Sequence, residues 1–85
     1  MRLALIPMIL ALSASAAFAG ERCDVPKENW RPVEDLKSEL TAKGWTIANV
    51  KTEDGCYEVY GKDEAGKRVE LFFDPATFAM VGSDD

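Results

Sequence analysis

The sequence has no histidine among its 85 residues, and it has only two cysteines and 10 basic residues against 15 acidic ones. Without imidazole, the most common partner in acid–base and nucleophilic catalysis is missing. The net charge of −5 leaves no basic surplus to attract nucleic acid or anionic lipid. So short a chain also has no room for a cofactor domain. We therefore expect a non-catalytic protein that uses no cofactor and binds no nucleic acid.

The first 19 residues have the pattern of a secretory signal peptide. Arg2 supplies a positive start, residues 3–12 form an apolar run, and residues 17–19 form an A-x-A cleavage site. An uncleaved membrane anchor is the alternative, but the apolar stretch is slightly shorter than the roughly 20 residues that span a bilayer. Cleavage would leave one domain, residues 20–85, with all 15 acidic and 9 of the basic residues and a net charge of −6. We expect a periplasmic or secreted protein without a stable membrane anchor.

The two cysteines, Cys23 and Cys56, are expected to form a structural disulfide. Export would place them in an oxidising compartment, where two cysteines in a small chain most often pair. The alternatives are half of a four-ligand zinc site and a reactive thiol, for which no histidine base is available. The disulfide would close a loop of 34 residues counted inclusively, which chain-entropy arithmetic values at about 3–4 kcal/mol. That is comparable with the whole stability of a domain this small.

Residues 20–29 are polar and are expected to form an irregular N-terminal arm, and the residue pattern after this arm predicts one helix. Val33, Leu36 and Leu40 recur at the spacing of one apolar helix face. A proline precedes this stripe and a glycine follows it, and these are typical start and stop residues. We therefore expect a helix over residues 32–43.

After the helix, aromatic and β-branched residues predict strands. Asp54-Gly55 is a strong hairpin turn. The predicted strands cover residues 45–51, 56–62 and 68–74, and a last apolar piece, 78–81, would pair as a fourth strand or simply pack. The fold class is therefore α+β, with one N-terminal helix on a three- to four-stranded antiparallel β-meander.

Alternation along the strands separates two faces of the predicted sheet. The helix is expected to cover the face that carries Tyr57, Val59, Val69, Leu71 and Phe73. The opposite face would be amphipathic and half open, and it carries Glu58, Tyr60, Glu70 and Phe72. Since aromatic residues are enriched at interfaces, these four residues are our candidate interaction face. An ordinary cross-strand pair of Tyr60 and Phe72 is the alternative explanation.

Acidic pairs raise a second hypothesis, the binding of hard cations such as calcium, which prefer clustered carboxylate oxygens. The pairs are Glu53–Asp54, Asp63–Glu64 and Asp84–Asp85. None belongs to a complete calcium loop, because the segment from Asp63 to Gly66 lacks the spaced acids and the terminal glutamate of that motif. Solvated turns explain the same residues, and we expect the last three residues to be frayed. An acidic protein that binds cations through surface carboxylates is therefore kept as the alternative function.

Several short segments also occur in a characteristic order. They are the arm Cys23-Asp24-Val25-Pro26, the step Gly44-Trp45, the hairpin Glu53-Asp54-Gly55-Cys56-Tyr57-Glu58-Val59-Tyr60, the turn residues Asp63 and Gly66, the pair Val69-Glu70 and the segment Phe73-Asp74-Pro75-Ala76-Thr77. Their order resembles that of the small single-domain PepSY proteins of Gram-negative bacteria, over nearly the whole chain after the leader.

The resemblance implies both a fold and a function class. It implies a helix on a small antiparallel sheet, with Cys23 and Cys56 tying the arm to the second strand. PepSY modules also occur in propeptides of thermolysin-like metallopeptidases, which implies inhibition or regulation of a peptidase outside the cytoplasm. The expected partner is thus a periplasmic or secreted peptidase or another protein, in an oligomeric state that the sequence does not indicate.

One position departs from the family pattern. The family usually has glycine after Asp-Pro-x-Thr, where this chain has Phe78. A bulky residue does not readily take the positive φ that glycine supplies. We therefore expect the final turn to differ, which puts the fourth strand at residues 78–81 in question.

Overall fold

Helix α1 lies against one face of a four-stranded antiparallel sheet whose strands follow one another in chain order, β1-β2-β3-β4. The computed structural model describes residues 22–84. After a 3₁₀ turn at Lys27–Asn29, the elements are α1 Val33–Ala42, β1 Thr46–Glu53, β2 Cys56–Lys62, β3 Arg68–Phe73 and β4 Met80–Ser83. The predicted α+β class and the meander are confirmed. The predicted leader, residues 1–19, lies outside the described residues.

Helix α1 begins and ends within one residue of the predicted bounds. Pro32 precedes it with an extended backbone, and Glu34 and Asp35 place negative charge in its first turn, where the helix dipole favours it. Leu36 and Leu40 are the buried residues of the apolar stripe. No helix among residues 22–84 has the length and apolar character that crossing a membrane requires.

The turn between β1 and β2 has the geometry that Asp-Gly favours. Asp54 and Gly55 both have positive φ, 53° and 76°, as a type I′ hairpin requires. Gly55 also lies against the N-terminal arm, because a Cβ built on it would collide with the carbonyl oxygen of Cys23. Strand β2 has the predicted bounds, while β1 extends to Glu53 and pairs with β2 through a register shift between Ile47 and Asn49.

Phe78 lies in the turn between β3 and β4 and has a φ of 65°. Its N–H donates to the Asp74 carbonyl oxygen at 2.8 Å, and the Asp74 carboxylate accepts the N–H groups of Ala76 and Thr77. We expected a bulky residue to change this turn, but Phe78 takes the positive φ that glycine usually supplies. The fourth strand forms at Met80–Ser83, two residues later than predicted.

The main hydrophobic core lies between α1 and the sheet, on the predicted face. Its buried members are Leu36, Leu40, Tyr57, Val59, Phe73 and Phe78. Partly buried side chains, including Trp30, Trp45 and Leu71, pack around them. The Trp30 indole N–H donates to the Val25 carbonyl oxygen at 2.8 Å, and the Tyr57 hydroxyl donates to the Arg31 carbonyl oxygen at 2.6 Å. These two bonds fasten the segment before α1 to the core.

Candidate binding site on the far face of the sheet

The four residues of the predicted interaction face come together in two cross-strand pairs. Glu58 lies opposite Phe72, and Tyr60 lies opposite Glu70, on the adjacent strands β2 and β3. We call the side of the sheet turned away from α1, which carries these four residues, the far face. The four side chains lie together on this face, but its two ends differ in exposure.

The Phe72 end of the far face is covered. Phe72 is 1% exposed and packs in a second buried cluster with Cys23 and Cys56. The Arg22 guanidinium lies over it, 4.2 Å from the ring centre, and the Arg22 Nε is 3.8 Å from Asp54 Oδ2. Phe72 therefore offers no contact area to a partner in this conformation.

The cover is the N-terminal arm, which the predicted disulfide holds in place. Cys23 is bonded to Cys56, and the N–H groups of Arg22 and Cys23 both donate to the Asp54 carbonyl oxygen, at 3.0 and 3.1 Å. The arm thus follows the outside of the β1–β2 turn. The Cys23–Cys56 pairing is confirmed.

The Tyr60 end of the far face is open. A hollow of about 400 Å³ lies there, and it is lined by Thr46, Ala48, Tyr60, Gly61, Lys62, Arg68, Val69 and Glu70. Tyr60 and Glu70 are half-buried, whereas Lys62 and Arg68 are exposed. The hollow therefore combines an aromatic ring with charges of both signs, an arrangement suited to a polypeptide segment.

A carboxylate cluster lies between the two ends. Carboxylate oxygens of Glu58, Glu70 and Asp84 lie within 4.8 Å of one another. The Asp84 N–H donates to the Glu70 carbonyl oxygen at 2.8 Å, which extends the β3–β4 pairing by one residue and places the Asp84 side chain beside Glu70. Glu58 is 1% exposed, and its Oε2 has no hydrogen-bond partner among the described residues.

The surroundings of Glu58 disfavour its charged form. Burial raises the pKa of its carboxyl group above the ordinary value of 4.5. Asp84 raises this pKa further, while Tyr60 and the positive charge of Lys51 lower it. The Lys51 ammonium lies 5.4 Å from the centre of the Tyr60 ring. The balance of these effects makes the ionised form of Glu58 less favourable than that of a glutamate in water.

The family model described as "Peptidase propeptide and YPEB domain" matches residues 3–84 of this chain. The chain belongs to this family. The resemblance to PepSY proteins is thereby confirmed, and family membership supports a propeptide-like, regulatory and generally non-catalytic module. No curated protein and no solved structure matches the chain.

Four of the acidic residues that the sequence suggested as cation ligands, Glu53, Asp54, Asp63 and Glu64, lie outside the carboxylate cluster of this PepSY domain. Asp54 pairs with Arg22, and Asp63 Oδ1 accepts the N–H groups of Ala65 and Lys67 at 2.9 and 3.0 Å, as in an ordinary polar turn. Glu53 and Glu64 are exposed. Within residues 22–84, the one set of three metal-ligating side chains contains none of these four candidates.

Sequence reasoning missed the carboxylate cluster. Glu58 and Glu70 were assigned to the interaction face, whereas Asp84 was assigned to a frayed terminus and, together with Asp85, to a candidate cation-binding pair. In the PepSY domain, Asp84 continues the pairing of β4 with β3. A prediction that placed β4 two residues later would have put Asp84 opposite Glu70. The cluster was therefore missed because the register of this strand was wrong.

Proposed function

We propose that this PepSY domain is a non-catalytic binding module that regulates, and in the simplest case inhibits, a peptidase outside the cytoplasm. Membership of the propeptide family supports a regulatory role. The observation that carries the proposal is the open end of the far face, where the hollow beside Tyr60 lies next to Lys62, Arg68 and Glu70. An extended segment of the peptidase would lie there, with its side chains against the Tyr60 ring and its charged groups paired with those of the rim.

The roles within the predicted interaction face then divide. Tyr60 and Glu70 would contact the partner, because they line the hollow. Phe72 and Glu58 would support the surface from below, because each is 1% exposed. The arm that covers Phe72 fixes the extent of the contact area.

A site-specific cross-linking experiment tests the proposal. A photoreactive amino acid at position 62, on the rim of the hollow, should cross-link a peptidase in an extract of the cell envelope and culture medium. The matched control is the same amino acid at Ser38, which is exposed on α1 away from the far face. Equal cross-linking from both positions, or cross-linking to proteins other than a peptidase, would contradict the proposal.

An activity assay on the captured peptidase completes the test. The wild-type domain should lower its turnover of a peptide substrate, and Tyr60→Ala should weaken this inhibition, because the ring supplies the largest apolar contact in the hollow. Glu34→Ala, on the exposed side of α1, serves as the control and should inhibit like the wild type. Unchanged peptidase activity in the presence of the domain would exclude inhibition.

The location outside the cytoplasm belongs to the same proposal. It is supported by the signal-peptide pattern of residues 1–19 and by the disulfide, which persists best in an oxidising compartment. Fractionation of cells that carry the full chain should recover a processed protein in the periplasm or the medium. Recovery of the unprocessed chain in the cytoplasm would contradict this part.

A further inference from the structure

The carboxylate cluster of the far face brings three acidic side chains from neighbouring strands into one place. Glu58 belongs to β2, Glu70 to β3, and Asp84 directly follows β4. Their oxygens lie within 4.8 Å of one another, and no lysine or arginine among the described residues forms an ion pair with any of the three. Three negative charges at this spacing repel one another unless a positive charge or a proton joins them.

Glu58 provides the second, independent observation. It is 1% exposed, yet its Oε2 has no hydrogen-bond partner among residues 22–84. Burying a carboxylate oxygen without a hydrogen-bond partner costs free energy, so such atoms are normally hydrogen-bonded or bound to a metal ion. The unsatisfied oxygen belongs to the same carboxyl group that contributes to the cluster.

We propose that Glu58, Glu70 and Asp84 bind a hard divalent cation of the calcium class. All three donors are carboxylates, and oxygen ligands of this type suit calcium and magnesium rather than zinc or copper. With metal–oxygen distances of about 2.3–2.6 Å for calcium, two ligands of one ion lie at most about 5 Å apart. The oxygens of the cluster, all within 4.8 Å of one another, fit this limit.

The cluster also has an open side for the remaining ligands. Glu58 forms its buried base, Glu70 is half-buried, and Asp84 is exposed. Calcium takes six to eight oxygen ligands, so water molecules would complete its coordination from the solvent side. The ion would join β2, β3 and the end of β4, and it would supply the positive charge that Glu58 lacks.

Titration with calcium chloride tests the proposal directly. Isothermal calorimetry on the oxidised protein should show one site, and calcium at about ten times its dissociation constant should raise the unfolding midpoint by about 5–10 °C. Glu58→Gln and Asp84→Asn should each lose this shift. Glu64→Gln removes one exposed acid elsewhere and should keep it. The absence of both heat and shift up to about 10 mM calcium, the range of weak extracellular sites, would overturn the proposal.

Terbium luminescence gives a readout of where the ion lies. Terbium replaces calcium at oxygen sites and is excited by energy transfer from a nearby aromatic ring, here Tyr60, which lies opposite Glu70. Calcium should displace it, Glu58→Gln should abolish the emission, and Tyr60→Phe should lower it, whereas Glu64→Gln should leave it unchanged. Emission that survives Glu58→Gln would place the ion elsewhere and overturn the proposal.

The competing occupant of the cluster is a single proton shared between Glu58 and its neighbours. In that case acidification would stabilise the wild type, and calcium at neutral pH would not. Because Asp84 is exposed, Asp84→Asn should fold even if changes at Glu58 disturb the sheet. A calcium shift unchanged in Asp84→Asn would therefore overturn the proposal regardless of the behaviour of Glu58→Gln.

Discussion

The Arg31 guanidinium lies 4.0 Å from the centre of the Phe78 ring, and Phe78 has a φ of 65°. Arg31 is itself fixed: its N–H donates to the Pro75 carbonyl oxygen at 2.9 Å, and its side chain reaches Glu39 at 3.0 Å. The Phe78 ring also packs in the main core beside Tyr57, with ring centres 6.4 Å apart. A bulky residue takes an unfavourable backbone conformation here because its side chain contacts both Arg31 and the core.

Replacing Phe78 separates the two effects. Phe78→Ala loses the buried ring and keeps the positive φ, whereas Phe78→Gly also relieves the backbone. Loss of a buried phenylalanine costs about 3–5 kcal/mol, and a strained φ about 1–2 kcal/mol. We therefore expect both variants to be less stable than the wild type. The free energy of unfolding of Phe78→Gly should exceed that of Phe78→Ala by about 1 kcal/mol. Urea unfolding measures this, and an Ala variant as stable as the Gly variant would show that the positive φ carries no cost.

Reduction of the disulfide should lower the stability markedly. Cys23 and Cys56 are 33 residues apart in sequence, and a loop of this length is worth about 3–4 kcal/mol. Thermal or urea unfolding with and without reductant measures the loss. The Cys23→Ser/Cys56→Ser variant should resemble the reduced wild type and should not respond to reductant. If the oxidised and reduced wild type unfolded at the same midpoint, the disulfide would not stabilise the fold.

Two glycines with similar backbone angles allow a matched comparison of close packing. Gly55 and Gly66 have φ of 76° and 82°, but an added Cβ would meet the Cys23 carbonyl oxygen at Gly55 and nothing within 4 Å at Gly66. Gly66→Ala should cost about 1 kcal/mol from strain alone. Gly55→Ala should cost more and should displace the arm, which faster trypsin cleavage after Arg22 would reveal. Equal losses at the two positions would mean that the arm does not press on the turn.

Glu58 should make stability depend on pH in a direction unusual for a glutamate. Because its folded-state pKa is raised, mainly by burial, its contribution favours folding below the ordinary value of 4.5 and is lost as pH rises through the folded-state pKa. Asp84 reinforces this effect, and Tyr60 and Lys51 oppose it. In chelator, Glu58→Gln should therefore gain stability relative to the wild type as pH rises from about 4 to 8.

The control for this pH series is again Glu64→Gln, whose side chain is exposed. It should keep the pH dependence of the wild type. If the Glu58→Gln and wild-type curves run parallel across the series, the burial of Glu58 does not disfavour its ionised form.

The elements that the sequence predicted well are those set by local patterns. The stripe of Leu36 and Leu40 located α1, and the Asp54-Gly55 turn fixed the bounds of β2. Alternation also placed Tyr57 and Val59 correctly under the helix. Periodicity and turn chemistry act over a few residues, so the sequence carries them directly.

The parts that sequence reasoning missed depend on contacts between distant residues. Alternation predicted an open far face, but Arg22 lies over Phe72 because the disulfide holds the adjacent residue, Cys23, against β2. Asp84 joins Glu58 and Glu70 only because β4 pairs two residues later than its apolar residues suggested. The positive φ of Phe78 likewise depends on the contact of its ring with Arg31. Rules based on the residue type at one position do not include such a contact.

The chain-order sheet has a kinetic consequence. Each strand pairs with its neighbour in sequence, so every hairpin closes a short loop at small entropic cost and with little delay. The contacts that the segment before α1 makes with the sheet span more chain, 26 residues for Tyr57 with Arg31 and 33 for the disulfide. We therefore expect the hairpins to assemble first and the arm to close over them last. The two thiols would then meet only after the sheet has formed. Oxidation would therefore stabilise a fold that the pairing of the strands had already determined.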